Sequence, residues 1–326
     1  MSFFLFVATL FVTFRILMGE SARIAEREYH FEYTTVTGYF LQDAPATHPA
    51  ALDYTTTDFG LIDRRYETDH EFDPKRKKTQ WQRFEYLVNQ RNEKREEGVQ
   101  YKWDVMAKVT TMSLNPSTAR KLGIWADAEL TSQGRDEAIK ANKFWSDHLT
   151  TQHAPAPESY YVSPLIRCLE TCKLTFDSLS LPADRPFNPT IKELFREAMG
   201  VHTCDRRSSK TYIHEHYPEW KFEQGFSEED QLWKSDQRET NDGMDVRTRV
   251  VLDDVFAHDE STWISITSHS GEIASILRVL GHRKFDLATG QAIPVLVKAR
   301  KVDGPAPTPT GPAYTTVPTC SAPPTA

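Results

Sequence analysis

Trp263-Ile264-Ser265-Ile266-Thr267-Ser268-His269-Ser270-Gly271-Glu272 reads as a strand that runs out at a histidine and turns directly into a helix. Trp263–Ile266 is a short β-rich run, and Ile273, Ile276, Leu277 and Leu280 then fall on one helical face. The pattern repeats upstream, where Tyr160-Tyr161-Val162 precedes Ser163-Pro164-Leu165-Ile166-Arg167 and a helix carrying Leu165, Leu169 and Cys172. Ile293–Val297 is a further apolar strand, with Pro294 demoting its start to an edge or entry position. Two amphipathic helices are expected earlier, one carrying Trp81, Phe84, Leu87 and Val88, the other opened by the capping pair Thr131-Ser132 and burying Ala138, Ala141, Phe144 and Trp145. Strands alternating with helices predict an α/β fold with a largely parallel sheet, whose ligands gather beyond the carboxyl ends of the strands.

The residues just after those strands are therefore the ones to inspect. Arg167, one turn into its helix, can reach an anion held by the free N–H groups of the helix N-terminus, although taken alone it is an ordinary surface arginine. His269 is placed to hydrogen-bond a phosphoryl oxygen, with Gly271 allowing close backbone approach; a lone histidine is more often structural. A third cluster, Glu193 to Gly200 followed by Cys204-Asp205-Arg206-Arg207-Ser208, pairs arginines with carboxylates in a way that suits a phosphomonoester. Its default reading is a set of solvated ion pairs worth about 0–1 kcal/mol each.

With 326 residues and 39% hydrophobic content the chain can bury a sizeable core. A net charge of -7 excludes a general nucleic-acid binder, and the basic run Lys75–Lys78 reads as a solvated face. Cys168, Cys172, Cys204 and Cys320 form no CxxC pair; Cys168 and Cys172, spaced i,i+4, could hold a metal only if His or acidic ligands converged on them, and no HExxH occurs. Residues 1–22 open with an apolar run, Phe3 to Phe14, and a small-x-small pattern at Gly19-Glu20-Ser21 that looks like a signal peptide. The run is short for a spanning helix, so no stable membrane partner is expected. Localisation stays open: secretory if translation starts at Met1, cytoplasmic if it starts at Met18, and no sequon accompanies the signal-like segment. Residues 23–302 form the expected domain, and 303–326, rich in Pro and Thr, are expected to be disordered.

Taken in order, the blocks Thr37–Asp43, Leu130–Gly134, Ser163–Arg167, Cys204–Arg207 and Ser268–Glu272 resemble the histidine phosphatase (phosphoglycerate mutase-like) superfamily, most closely its fungal phosphoglycerate-mutase-like branch. The resemblance implies a three-layer α/β/α fold with a mostly parallel central sheet. It implies no cofactor and no metal, and a phosphorylated small molecule as partner. The reaction would be a two-step phosphoryl transfer, in which a histidine in an R-H-G motif attacks phosphorus and water then releases phosphate. By the match, Arg167 would bind the phosphoryl group, His269 would be the second pocket histidine and Glu197 the proton donor. Arg206 or Arg207 would contact the substrate or shape the pocket.

One block departs from that pattern. After Val99-Gln100-Tyr101-Lys102 the family runs through an apolar strand into R-H-G-E-G-Y-H-N, whereas this chain reads Trp103-Asp104-Val105-Met106-Ala107-Lys108-Val109-Thr110-Thr111-Met112, and R-H-G occurs nowhere. Triplets made from the third base of one codon and the first two of the next can encode G-R-H-G-E-G-Y-H-N over Trp103–Met112 and V-A-E-S-F-Y-G-T on to Arg120. Family-like sequence resumes at Trp125-Ala126-Asp127. The segment therefore reads as the catalytic segment in another frame, and the first central strand is expected to be damaged, with Lys102 to Thr111 able to pair as a poorer substitute because Val105, Ala107 and Val109 alternate. Two functions follow: a phosphomonoesterase or phosphomutase lineage without its nucleophile, or a pseudophosphatase that binds phosphorylated ligands through Arg167, His269, Arg206 and Arg207.

Overall fold

The computed structural model describes residues 29–108 and 126–316. The signal-like segment, the stretch from Val109 to Trp125 and the last ten residues lie outside the described residues. Along the chain come β1 (Tyr29–Thr35), α1 (Gln80–Glu93), β2 (Val99–Lys108), α2 (Ser132–Asp147), β3 (Ser159–Val162), α3 (Ile166–Phe176), β4 (Thr190–Ile191), α4 (Lys210–His216) and β5 (Lys221–Phe222). They are followed by β6 (Gln237–Glu239), α5 (Asn241–His258), β7 (Trp263–Ser268), α6 (Ser270–Val279), β8 (Ala292–Asp303) and β9 (Tyr314–Thr316). Seven strands form one sheet in the order β1-β8-β2-β7-β3-β4-β5, and β6 pairs with β9 separately. From β2 to β5 the neighbours are parallel; β8 runs antiparallel to both β1 and β2.

Local chemistry explains why the helices start where they do. Thr79 caps α1 in a reciprocal capping box with Gln82, and Thr131 caps α2 by accepting from Gly134 N–H at 2.9 Å. The apolar stripes then decide the layers. Trp81, Phe84, Leu87, Phe144, Trp145, Leu169 and Phe176 pack on one sheet face with Trp103, Val105 and Val162. On the other face Val251, Leu252, Val255, Ile273, Ile276 and Leu277 pack with Met106, Ile264, Ile266, Val295 and Val297. This is the expected α/β/α sandwich.

The first central strand forms, and its damage is chemical rather than topological. β2 pairs along its length with β8 and through Trp103–Lys108 with β7. Trp103 and Val105 fill one layer and Met106 the other, which supplies enough apolar burial to hold the strand. The period of two then carries Lys102 and Asp104 into the layer of Met106. Lys102 Nζ reaches the carbonyls of Asp259 and Ser261. Asp104 is buried with neither carboxylate oxygen hydrogen-bonded, and burial pushes its carboxyl up to about 7.

Pro294 lies in a strand that is central by topology, yet it sits where an edge residue can. β1 ends opposite Val297, so at Pro294 the strand β8 has β2 on one side and no β1 on the other. The disorder expected from residue 303 does not describe Gly304–Thr316, because β9 finds an unpaired partner in β6 and Thr240 binds the carbonyls of Pro312 and Ala313.

Candidate active site

The carboxyl ends of β3 and β7 lie side by side, with Val162 opposite Thr267, and each strand turns into a helix within a few residues. That geometry brings Arg167 of α3 and His269, the N-cap of α6, into contact. Arg167 Nε donates to His269 Nδ1 at 3.3 Å, while His269 Nε2 is 2.8 Å from Ser163 Oγ. Because Nδ1 accepts, the proton sits on Nε2 and the ring is neutral. The chemistry agrees: burial first, and then the charges of Arg167, Arg247 and Arg196, hold His269 well below the usual histidine range. Both side chains are about 1% exposed.

Arg167 is gripped from a second side. Its Nη1 donates to Cys204 O at 2.7 Å and its Nη2 to Asp205 Oδ1 at 2.9 Å. These three bonds use three of the five guanidinium N–H groups, and the remaining two suit an oxyanion.

Glu197 completes the group. Its Oε2 lies 3.3 Å from both Gly271 N and Ser270 Oγ, at the N-terminus of α6. A Cβ on Gly271 would run into the Glu197 carboxylate, so the glycine leaves room for Glu197 to lie where it does, the close approach that the sequence suggests. A carboxylate thus occupies the positive end of the α6 dipole, the place a phosphoryl oxygen would take. Lys108, the last residue of β2, pairs with Ser268 in the adjoining strand; its Nζ donates to Leu287 O at 2.9 Å. Burial lowers the Lys108 ammonium pKa, and the nearby Glu197 charge opposes that shift.

The two remaining arginines are not brought into this group. Arg207 is buried and spent on other partners: Nε on Glu193 at 2.7 Å, and Nη1 and Nη2 on the carbonyls of Ser208, Ser227, Glu228 and Glu229. It braces the 227–230 loop, and those donors are committed before any ligand arrives. Arg206 is exposed and lies over the Trp233 ring. The Glu193–Arg196 pair is likewise no solvated pair. Arg196 is fully buried and forks onto Asp230 at 2.6 and 2.8 Å, and that contact holds the Asp230 carboxyl low against the upward push of burial.

Several residues of the site escaped the reading of the sequence. Ser163 could have been found, because it is the first residue after β3; Asp205 stood inside a quoted block without a role. Cys168, whose Sγ is 3.3 Å from His269 Nε2, is a buried thiol raised far above its usual range by burial. Cys172 beside it on α3 is also a buried free thiol. Arg238, which reaches Asp205 from strand β6, carried no signal in the sequence.

The sequence profile of the histidine phosphatase superfamily (branch 1) matches residues 113–295. The matched stretch begins beyond β2 and takes in Arg167, Glu197 and His269. A "probable phosphoglycerate mutase" of Arthroderma benhamiae is 44% identical over 299 residues, covering 87% of this chain and 88% of its own. "Phosphomutase-like protein 3" of Candida albicans is 40% identical over 176 residues, 53% of each chain. A solved phosphoglycerate mutase from Thermus thermophilus aligns with 59% of this chain and 91% of its own length, at 16% identity and a TM-score of 0.33. The chain belongs to the histidine phosphatase superfamily, whose phosphoglycerate mutase-like members act on phosphorylated small molecules.

Proposed function

We propose that this chain descends from a phosphomonoester hydrolase or phosphomutase that works through a phosphohistidine, and that in its present sequence it binds a phosphoryl group without forming that intermediate. One observation carries the reading. Arg167, His269 and Glu197 meet at the ends of β3 and β7, while the end of β2 next to them presents Lys108 and no imidazole.

In the lineage's chemistry, an imidazole nitrogen attacks phosphorus and the ester P–O bond breaks. The departing alkoxide takes a proton from Glu197. Water then gives a proton back to Glu197 as its oxygen attacks phosphorus, freeing phosphate and the imidazole. Arg167 neutralises the non-bridging oxygens throughout, through its two uncommitted N–H groups. Without the attacking imidazole no P–N bond forms, and the anion cradle remains. His269 cannot substitute, because one ring nitrogen accepts from Arg167 and the other is bound to Ser163.

Transcript sequence across codons 99 to 130 tests the origin: an apolar strand followed by R-H-G restores the enzyme, and a confirmed Trp103–Ile124 leaves the binder. Calorimetry with inorganic phosphate tests the binding itself, which Arg167→Ala should abolish. Hydrolysis of a generic phosphomonoester by the unmodified chain, lost on His269→Ala or Arg167→Ala, would defeat the reading.

A further inference from the structure

Gly304–Thr316 leaves β8, passes over the start of α5 and ends as β9 in register with β6, Gln237 opposite Thr316, Arg238 opposite Thr315 and Glu239 opposite Tyr314. Thr240 Oγ1 donates to Pro312 O at 2.6 Å and Thr240 N to Ala313 O at 3.0 Å. The strap runs so close to α5 that a Cβ on Gly243 would collide with Ala313 O.

The same three-residue strand β6 holds the segment that carries Glu197. Glu239 N donates to Met199 O at 2.9 Å and Met199 N to Glu239 Oε2 at 3.0 Å. Arg238 Nη1 donates to the carbonyls of Ala198 and Gly200, each at 2.8 Å. Gly200, at φ +87°, has no room for a side chain against Gln237 O. Arg238 Nη1 also lies 3.3 Å from Asp205 Oδ2, and Asp205 Oδ1 is the acceptor that holds Arg167. One guanidinium thus ties together the backbone behind Glu197 and the carboxylate behind Arg167.

We propose that the C-terminal strap is a positioning element of the phosphoryl pocket and that Arg238 is the positioning residue through which it acts. The proposal rests on the pocket reading above and deepens it. An ion pair between Arg238, 27% exposed, and Asp205 is worth little by itself, so the placement of β6 decides whether the guanidinium stands where it must. A strand of three residues does not hold that place alone, and β9 supplies its second edge. The expected disorder of this segment would leave the pocket's two arms unbraced.

Gly243→Ala in the full chain isolates the effect: it raises the helix propensity of α5 while its methyl group lifts the strap, so a loss cannot come from an unravelled helix. Arg238→Gln cuts the link downstream. Both variants should raise the dissociation constant for inorganic phosphate about tenfold. Both should speed amide exchange at Met199 and Val201 by a similar factor, with the thermal midpoint of Gly243→Ala not lowered. Unchanged exchange at those two amides overturns the proposal, as does accelerated exchange with unchanged phosphate affinity. If the unmodified chain binds no phosphate, the pocket reading falls, and the exchange comparison alone then decides whether the strap holds the loop.

Discussion

Asp104 and Glu197 show what single residues decide here. Asp104 sits in the sheet with its carboxyl pushed up to about 7 by burial, against the pull of Lys102 and with a further push from Asp259; Tyr161 and Tyr33 also face it. The folded state therefore keeps a proton that the unfolded chain, titrating near 3.8, gives up first. The penalty is fully present above about pH 7 and is relieved as pH falls towards 4, by up to about 4 kcal/mol. Glu272, raised to about 8 by burial, acts with the same sign. Urea midpoints at pH 5 and pH 8 should thus differ, with the protein more stable at pH 5, and Asp104→Asn should shrink the difference. Equal pH dependence in the variant would place Asp104 in water. At Glu197 the negative charge occupies the α6 terminus, so Glu197→Gln should tighten phosphate binding several-fold, on the order of 1 kcal/mol. Weaker binding in calorimetry would mean that Glu197 orders the cradle rather than filling it.

At the scale of elements, the helices α1, α2, α3 and α6 and the strands β3 and β7 were legible because their signals are local: a capping threonine, one apolar stripe, a short β-rich run; α4 and α5 were not read from the sequence. β2 was legible only in part: Val105, Ala107 and Val109 alternate, but Lys102 and Asp104 interrupt the apolar pattern and its partners β7 and β8 lie more than 150 residues away. Its formation is testable. Trp103 is fully buried, with its ring centroid 5.1 Å from Trp263 and 5.5 Å from Trp81, so Trp103→Ala should cost about 3–5 kcal/mol. A neutral substitution in thermal unfolding would mean that the strand is not in the sheet. β9 was missed for a related reason. A Pro- and Thr-rich segment has no core of its own, and it becomes a strand because β6 offers an edge.

For the whole molecule the consequence is catalytic. Two apolar layers and a seven-stranded sheet hold Arg167 and His269 in contact, and on the proposed reading no imidazole at the end of β2 is there to attack phosphorus. Incubated with a generic phosphomonoester, the chain should accumulate no acid-labile phosphoryl adduct detectable by mass spectrometry. An adduct on any histidine would show that another imidazole reaches phosphorus.

The sequence by itself determined the family and the α/β layering, and it singled out Arg167, Glu197 and His269 as candidates, because motifs placed just after strands are read from neighbouring residues. It also shows that no R-H-G occurs in the chain, a departure read directly from the linear string. The tertiary structure decided what each charge faces. Arg207 is locked away on carbonyls, Arg167 is held by Asp205, and Arg238 joins the C-terminal strap to both arms of the site. Those pairings depend on which distant segments fold against each other, and a linear order of residues does not contain that distance.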